Sequence, residues 1–342
     1  MKLKSLVVAA AVAALALAGC AVDNSGQDAD KPTIRIGYQS FPSGDLIVKN
    51  NKWLEEALPD YNIKWTKFDS GADVNTAFIA NELDFGALGS SPVARGLSAP
   101  LNIPYQVAFV LDVAGDNEAL VVRNESGVNT IPELKGKRIA TPFASTAHYS
   151  LLAALSQNSL SANDVELIDL QPQAILAAWD RGDIDAAYTW LPTLNDLRKT
   201  GKDLITSRQL AKDGKPTLDL GAVRTEFADA HPEVVDIWRQ QEARALDVIK
   251  DDPDAAAKAI AAEVGLTPED IAGQLKQGVY LTPAEVSSAE WLGSDGKPGN
   301  IAANLQNASQ FLAEQKQIPT AAPLETFQDA IYTKGLPNAL KQ

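Results

Sequence analysis

The chain has one cysteine, two histidines and one methionine in 342 residues. A single cysteine excludes an internal disulfide, so the fold stands on its core alone. Two histidines and that one cysteine disfavour a zinc site. Cations are also in deficit, with 30 Lys and Arg against 44 Asp and Glu and a net charge of −14. That balance disfavours nucleic acid, whose binding needs clustered cations. It does not exclude a small anion, because local dipoles can seat one whatever the global charge. Beyond the N-terminus no long apolar run is found, so nothing further crosses a membrane.

The N-terminus itself is apolar. Lys2 and Lys4 precede a continuous apolar stretch from about Leu6 to Ala18, too short for a permanent span and of the kind removed after export. Leu17-Ala18-Gly19-Cys20 closes it with the small-Gly-Cys pattern of bacterial lipoproteins, in which Cys20 becomes the lipid-bearing first mature residue. An ordinary signal with a chance cysteine is the bland alternative. Residues 1–19 are thus expected to be a signal peptide and 20–31 a lipidated flexible tether, which holds a soluble body at the outer face of the cell membrane or in the periplasm. Loss of Lys2 and Lys4 takes the net charge to −16. About 320 residues remain, enough for two lobes.

Thr33-Ile34-Arg35-Ile36-Gly37-Tyr38 alternates as a strand, and Leu120-Val121-Val122, Arg138-Ile139-Ala140 and Ala222-Val223 read the same way. Helices are expected over Tyr149–Leu155, over Pro232–Ile249 with its first-turn proline, and over Asn304–Gln315. Asp251 to Leu275 reads as short outer helices, and Asp295-Gly296-Lys297-Pro298-Gly299 as a turn. Interleaved strands and helices indicate an α/β architecture. Ala77–Asp84 and Ala178–Asp185 echo one another: an aromatic on a helix, a turn residue, then acid-aliphatic-acid entering a strand. Two such units suggest two lobes that deliver strand ends to one cleft.

Two loops could seat an anion. Ser145 or Thr146 caps a helix that follows a strand, and its first-turn N–H groups are unpaired. Gly89-Ser90-Ser91-Pro92 is a second such loop. Simple capping explains either one equally well. Glu118 and Asp219 each stand at a strand entrance, as ligand partners or as solvated charges.

Lys67-Phe68-Asp69-Ser70-Gly71-Ala72, Leu88-Gly89-Ser90-Ser91-Pro92, Asn117-Glu118-Ala119-Leu120-Val121-Val122 and Lys137-Arg138-Ile139-Ala140-Thr141-Pro142-Phe143 occur in this order. Ser145 to Leu155, Leu170-Gln171-Pro172, Arg181 to Asp185 and Pro216-Thr217-Leu218-Asp219 follow. Together these blocks resemble the periplasmic taurine-binding proteins of ABC importers, over about Ile34 to Thr333. The tract Phe41-Pro42-Ser43-Gly44-Asp45 departs from that pattern, and Lys250 to Thr282 follows it loosely.

The resemblance implies a two-lobed type II periplasmic binding fold with two crossover segments, near Asn117 and near Ala222. Lobe 1 would comprise 32–117 plus 222–342, and lobe 2 residues 118–221. It implies a sulfonate seat of Gln39, Gly89, Ser90, Ser91, Ser145, Thr146, Ala147 and His148. Glu118 and Asp219 would take the ammonium, and Tyr38, Asp69, Tyr188 and Trp190 would wall the cleft. The expected protein is a monomer without cofactor or metal, delivering taurine to an ABC permease driven by a cytoplasmic ATPase. Rivals are a binder of another sulfonate, of nitrate or of a thiamine precursor on the same fold, and a purely structural surface lipoprotein. An exported hydrolase built on Ser145 or Ser90, His148 and Asp219 is a further one, though no Gly-x-Ser-x-Gly elbow surrounds either serine.

Overall fold

A computed structural model describes residues 30–336 and 338–340. The expected signal, Cys20 and most of the tether lie outside the described residues. Two five-stranded sheets organise the chain. The first contains β1 (Thr33–Tyr38), β2 (Asn62–Lys67), β3 (Phe85–Gly89), β4 (Tyr105–Val113) and β10 (Leu218–Arg224), in the order β2-β1-β3-β10-β4. The second contains β5 (Glu118–Arg123), β6 (Arg138–Thr141), β7 (Glu166–Asp169), β8 (Ala186–Trp190) and β9 (Gly201–Thr206), in the order β7-β6-β8-β5-β9.

The two sheets share one topology. A central strand (β1 or β6) is flanked by two parallel partners. The strand arriving from the other lobe (β10 or β5) then pairs antiparallel on both sides. The sequence echo is its local cause. Asp84 and Asp185 each turn back at the start of a strand to accept from the backbone N–H of the central arginine, Arg35 or Arg138, at 2.9 Å in both copies. The same arginines close ion pairs at 2.7 and 3.0 Å. Two bidentate arginine–carboxylate clamps thus fix the two strand starts in the same way.

The expected strands and helices are all present. The helix containing Tyr149–Leu155 runs over Thr146–Gln157, the proline-led helix over Pro232–Asp251 and the late one over Ile301–Glu314. The tract from Asp251 folds as Pro253–Val264 and Pro268–Leu275, and the turn near Gly296 joins a two-residue hairpin. β5 shows why an unbroken apolar run can still be a strand. Leu120 and Val122 enter the main core, whereas Ala119 and Val121 enter a smaller one on the opposite face.

One boundary is corrected. The chain returns to the first sheet at Leu218, so the second crossing lies between Lys212 and Leu218 rather than near Ala222. Asp219, expected in the second lobe, pairs with Gly89 of β3 and Asp112 of β4. The apolar pair Ala222-Val223 is only the end of a longer strand whose start is masked by Asp219. Among the described residues no helix is long and apolar enough to cross a membrane.

Candidate functional site

The lobes are closed on each other. Gln171 Nε2 donates to Ser70 Oγ at 3.4 Å, and Arg208 Nη2 donates to the Gln277 carbonyl at 2.9 Å. Tyr149 meets Phe311 edge-on with ring centroids 5.0 Å apart. Between the lobes lies a narrow cavity; its empty space, open solvent at the mouth included, is about 450 Å³.

Three helices begin at its wall: Gly71–Ile79, Ser90–Leu97 and Thr146–Gln157. Gly71, Gly89, Ser145 and Thr146 all line it. The first-turn N–H groups of each helix have no partner within that helix, and the three dipoles add positive potential at one point. Such an arrangement can seat an anion without a cationic side chain. Absence of side chains at two positions makes it possible. A methyl group on Gly71 would lie 2.6 Å from Pro92 Cγ, and one on Gly89 would lie 2.4 Å from Thr146 Cγ2 in the other lobe.

Carboxyl groups stand in the same cavity. Glu118 is 3% exposed and surrounded by hydroxyls. Ser207 Oγ donates to it at 2.6 Å, Ser150 Oγ at 3.2 Å and Thr217 Oγ1 at 3.3 Å, with Thr146 Oγ1 donating to the other oxygen. Thr146 and Ser150 reach it together because i and i+4 share a helix face. Burial pushes the Glu118 carboxyl upward while the four hydroxyls hold it down. Asp219 keeps surface open to the cavity though protein encloses it, and burial with the neighbouring Asp112 pushes it well up.

Of the candidates, Gln39, Gly89, Ser145, Thr146, Glu118, Asp219 and Trp190 line the cavity. The other candidates do not line it. Ser90 is spent on the fold, its Oγ accepting from Leu218 N–H at 3.1 Å, and Ser91 is buried away from the wall. Ala147 sits in the core and can offer only its first-turn N–H. His148 stacks on Phe143 with centroids 4.5 Å apart, and its Nδ1 accepts from Ala144 N–H at 3.2 Å. Tyr188 is a core residue bonded to Ser207 at 3.0 Å. Tyr38 packs edge-on against Trp65, and Asp69 lines a separate surface pocket beside Trp190. Even at the rim, the Ser145 hydroxyl is engaged, donating to the Pro142 carbonyl and accepting from His148 N–H.

Phe41, Gly71, Asn117 and Leu191 line the cavity without having been singled out. Asp45, Asp112 and Glu242 are further buried acids, linked through one another to Asp219, and of them only Asp45 lies in a tract noted in the sequence. An available signal was the acid inside an apolar run: Asp112 interrupts Phe109-Val110-Leu111 and Val113.

These acids set the pH response of the empty protein. Burial raises Asp45 to about 6 and also raises Asp112, Asp219, Glu118 and Glu242. The unfolded chain loses these protons first, so their contribution is present at low pH and lost as pH rises through the folded values. His148, lowered to about 4 by burial, acts oppositely, because the unfolded imidazole protonates first as pH falls. Five acids outweigh one histidine. The ligand-free protein should resist urea better at pH 5 than at pH 7.5, and Asp112→Asn should flatten that slope. A midpoint that climbs steadily from pH 5 to 7.5 would contradict this balance.

Residues 32–274 match the substrate binding domain of ABC-type glycine betaine transport systems. The chain belongs to this family. This binding protein is 41% identical over 296 residues to the taurine-binding periplasmic protein of Escherichia coli (strain K12), covering 84% of this chain and 88% of that one. The alkanesulfonate-binding protein SsuA of Xanthomonas axonopodis pv. citri, solved with MOPS, superposes with a TM-score of 0.72 at 23% identity, covering 87% and 99% of the chains. The periplasmic aliphatic sulphonate binding protein SsuA of Escherichia coli gives 0.70 at 22% identity, with 88% and 97% covered. These two structures share the binding protein's two-lobed fold.

Proposed function

We propose that this binding protein captures taurine between its lobes and delivers it to an ABC permease driven by a cytoplasmic ATPase. The observation that carries the reading is the cavity's two-sided chemistry: converging helix starts at Gly71, Gly89 and Thr146, and the Asp219 carboxyl in the same enclosure. Taurine is a sulfonate and an ammonium joined by two methylenes. The sulfonate offers only acceptor oxygens, so its burial requires several donors at once. First-turn N–H groups are suited to supply them. The ammonium requires a carboxylate or an aromatic face, which Asp219 and Trp190 offer. Glu118 already holds four hydroxyls, so its main work is to fix Thr146 and the second lobe's wall.

The relative named for taurine supports the same ligand. Nitrate has no cation to meet Asp219. A hydrolase is disfavoured by the partners of His148: its Nδ1 accepts from the Ala144 N–H, so the neutral ring carries its proton on Nε2 and has no free lone pair to take a serine's proton. Each lobe owns part of the ligand shell, so ligand shifts the population toward closure, the form for a permease to recognise. Lobe 1 would then comprise residues 32–117 with the chain from Leu218 onward, and lobe 2 the segment between. The protein would work as a monomer, tethered through lipid on Cys20.

Calorimetry with taurine, ethanesulfonate, an aliphatic diamine and nitrate tests the assignment. Taurine should bind most tightly, ethanesulfonate more weakly, and the diamine and nitrate not measurably. Nitrate or diamine binding as tightly as taurine would overturn it.

A further inference from the structure

Asp112 on β4 stands directly opposite Asp219 on β10 in the register that joins the two strands. Like charges in that position repel. Yet protein encloses both carboxyl groups, and burial with the neighbouring Asp112 pushes the Asp219 carboxyl well up. Ionised carboxylates only accept, so the two can bond to each other only with a proton between them. Asp112 is 0% exposed; Asn117 Nδ2 makes a long 3.5 Å bond to its Oδ2, and its Oδ1 has no partner. Asp219 brings the pair to the cavity wall.

The groups facing the pair are themselves acidic. They are Glu118 from β5, Asp45 from the helix Gly44–Asn50, and Tyr280 from the segment after the helix Pro268–Leu275. Glu242, on the helix Pro232–Asp251, acts on the pair's side through Asp45, and both its oxygens lack partners. Lys49 acts on Asp45 but is ion-paired with Glu263. Among the described residues no group of three or more His, Cys, Asp or Glu is disposed to hold a metal ion. The pair's charge is therefore met by a proton or by a ligand.

We infer that Asp112 is a specificity residue of this site: it shares one proton with Asp219 in the empty cavity, and the ligand's ammonium takes that proton's place. The inference rests on the aminosulfonate reading of the ligand. The exchange balances. A pair bearing one proton and one negative charge accepts a cation, becomes doubly ionised, and releases its proton to solvent. Burial and mutual repulsion keep that proton in place near neutral pH until a cation arrives. An alkanesulfonate without an amine leaves the proton where it is, so the pair discriminates between ligands that carry a lasting positive charge and those that do not.

Calorimetric titration of the whole protein in buffers of differing ionisation enthalpy counts the protons directly. Taurine should release about one proton per ligand at pH 6.5, and its affinity should rise by roughly tenfold per pH unit below neutrality. Ethanesulfonate should release none. Asp112→Asn should bring the release well below one and flatten the pH profile, because Asp219 no longer faces a second acid. Asp112→Ala serves if the asparagine variant misfolds, and the wild-type measurement needs neither. Taurine binding without proton release, equal release with ethanesulfonate, or an unchanged slope in Asp112→Asn would each overturn the role of Asp112 and leave the ligand reading intact. No binding of taurine in any buffer would overturn that reading, and this inference with it.

Discussion

Asp219→Asn is expected to weaken taurine binding by about 100-fold while changing ethanesulfonate binding by less than about threefold. Asp219 is the acid that keeps surface on the cavity and is not already enclosed by donors. Its amide replacement conserves shape and strand pairing but cannot balance a buried ammonium. The ammonium is then left unpaired in an enclosed site, and the loss is that of an uncompensated charge. Ethanesulfonate brings no such charge. Titration of both ligands against one variant measures the difference, and equal losses would remove Asp219 from the ammonium's partners. Glu118 does not support the same test, because removal of its carboxylate frees four hydroxyls and disturbs the wall itself.

Gly89→Ala is expected to weaken taurine and ethanesulfonate alike, by about 10- to 100-fold. The added methyl would stand 2.4 Å from Thr146 Cγ2, across the gap between lobes. The clash spans the two lobes rather than lying within either core, so the lobes can part to relieve it and thermal stability of the ligand-free protein should change little. Thr146→Ser removes the opposing methyl while keeping the hydroxyl that binds Glu118. Combining the two substitutions should restore most of the lost affinity. Titration of the single and double variants checks this; a double variant as weak as Gly89→Ala would show that contact between these loops does not govern closure.

Much of the fold was legible in the chain. β1 was legible because its apolar residues recur with a period of two, and β5 because both its faces are buried and its run is continuously apolar. The echo around Asp84 and Asp185 was legible because a clamp on a backbone N–H needs an acid at a set distance from its strand. β10 was read short, since its first turn of chain carries Asp219 where an apolar residue would be expected.

The site was legible by loop and not by side chain. Ser/Thr before a helix marks an N-terminus, and those helix starts do meet at the cavity. Whether a capping hydroxyl faces ligand or chain depends on what packs against it. Ser90 is claimed by Leu218, a residue 128 positions away, and His148 by its own Ala144 and Phe143.

Local order along the chain decided the α/β elements, the repeated half, the helix starts and the acids available, because each depends on neighbours within a few residues or on a regular period. Tertiary pairing alone decided which acids come together at the cavity wall and behind it. Asp112, Asp219 and Glu118 come from three strands in two sheets. No sequence spacing encodes their proximity, since it is produced by the two crossings that bring the lobes face to face.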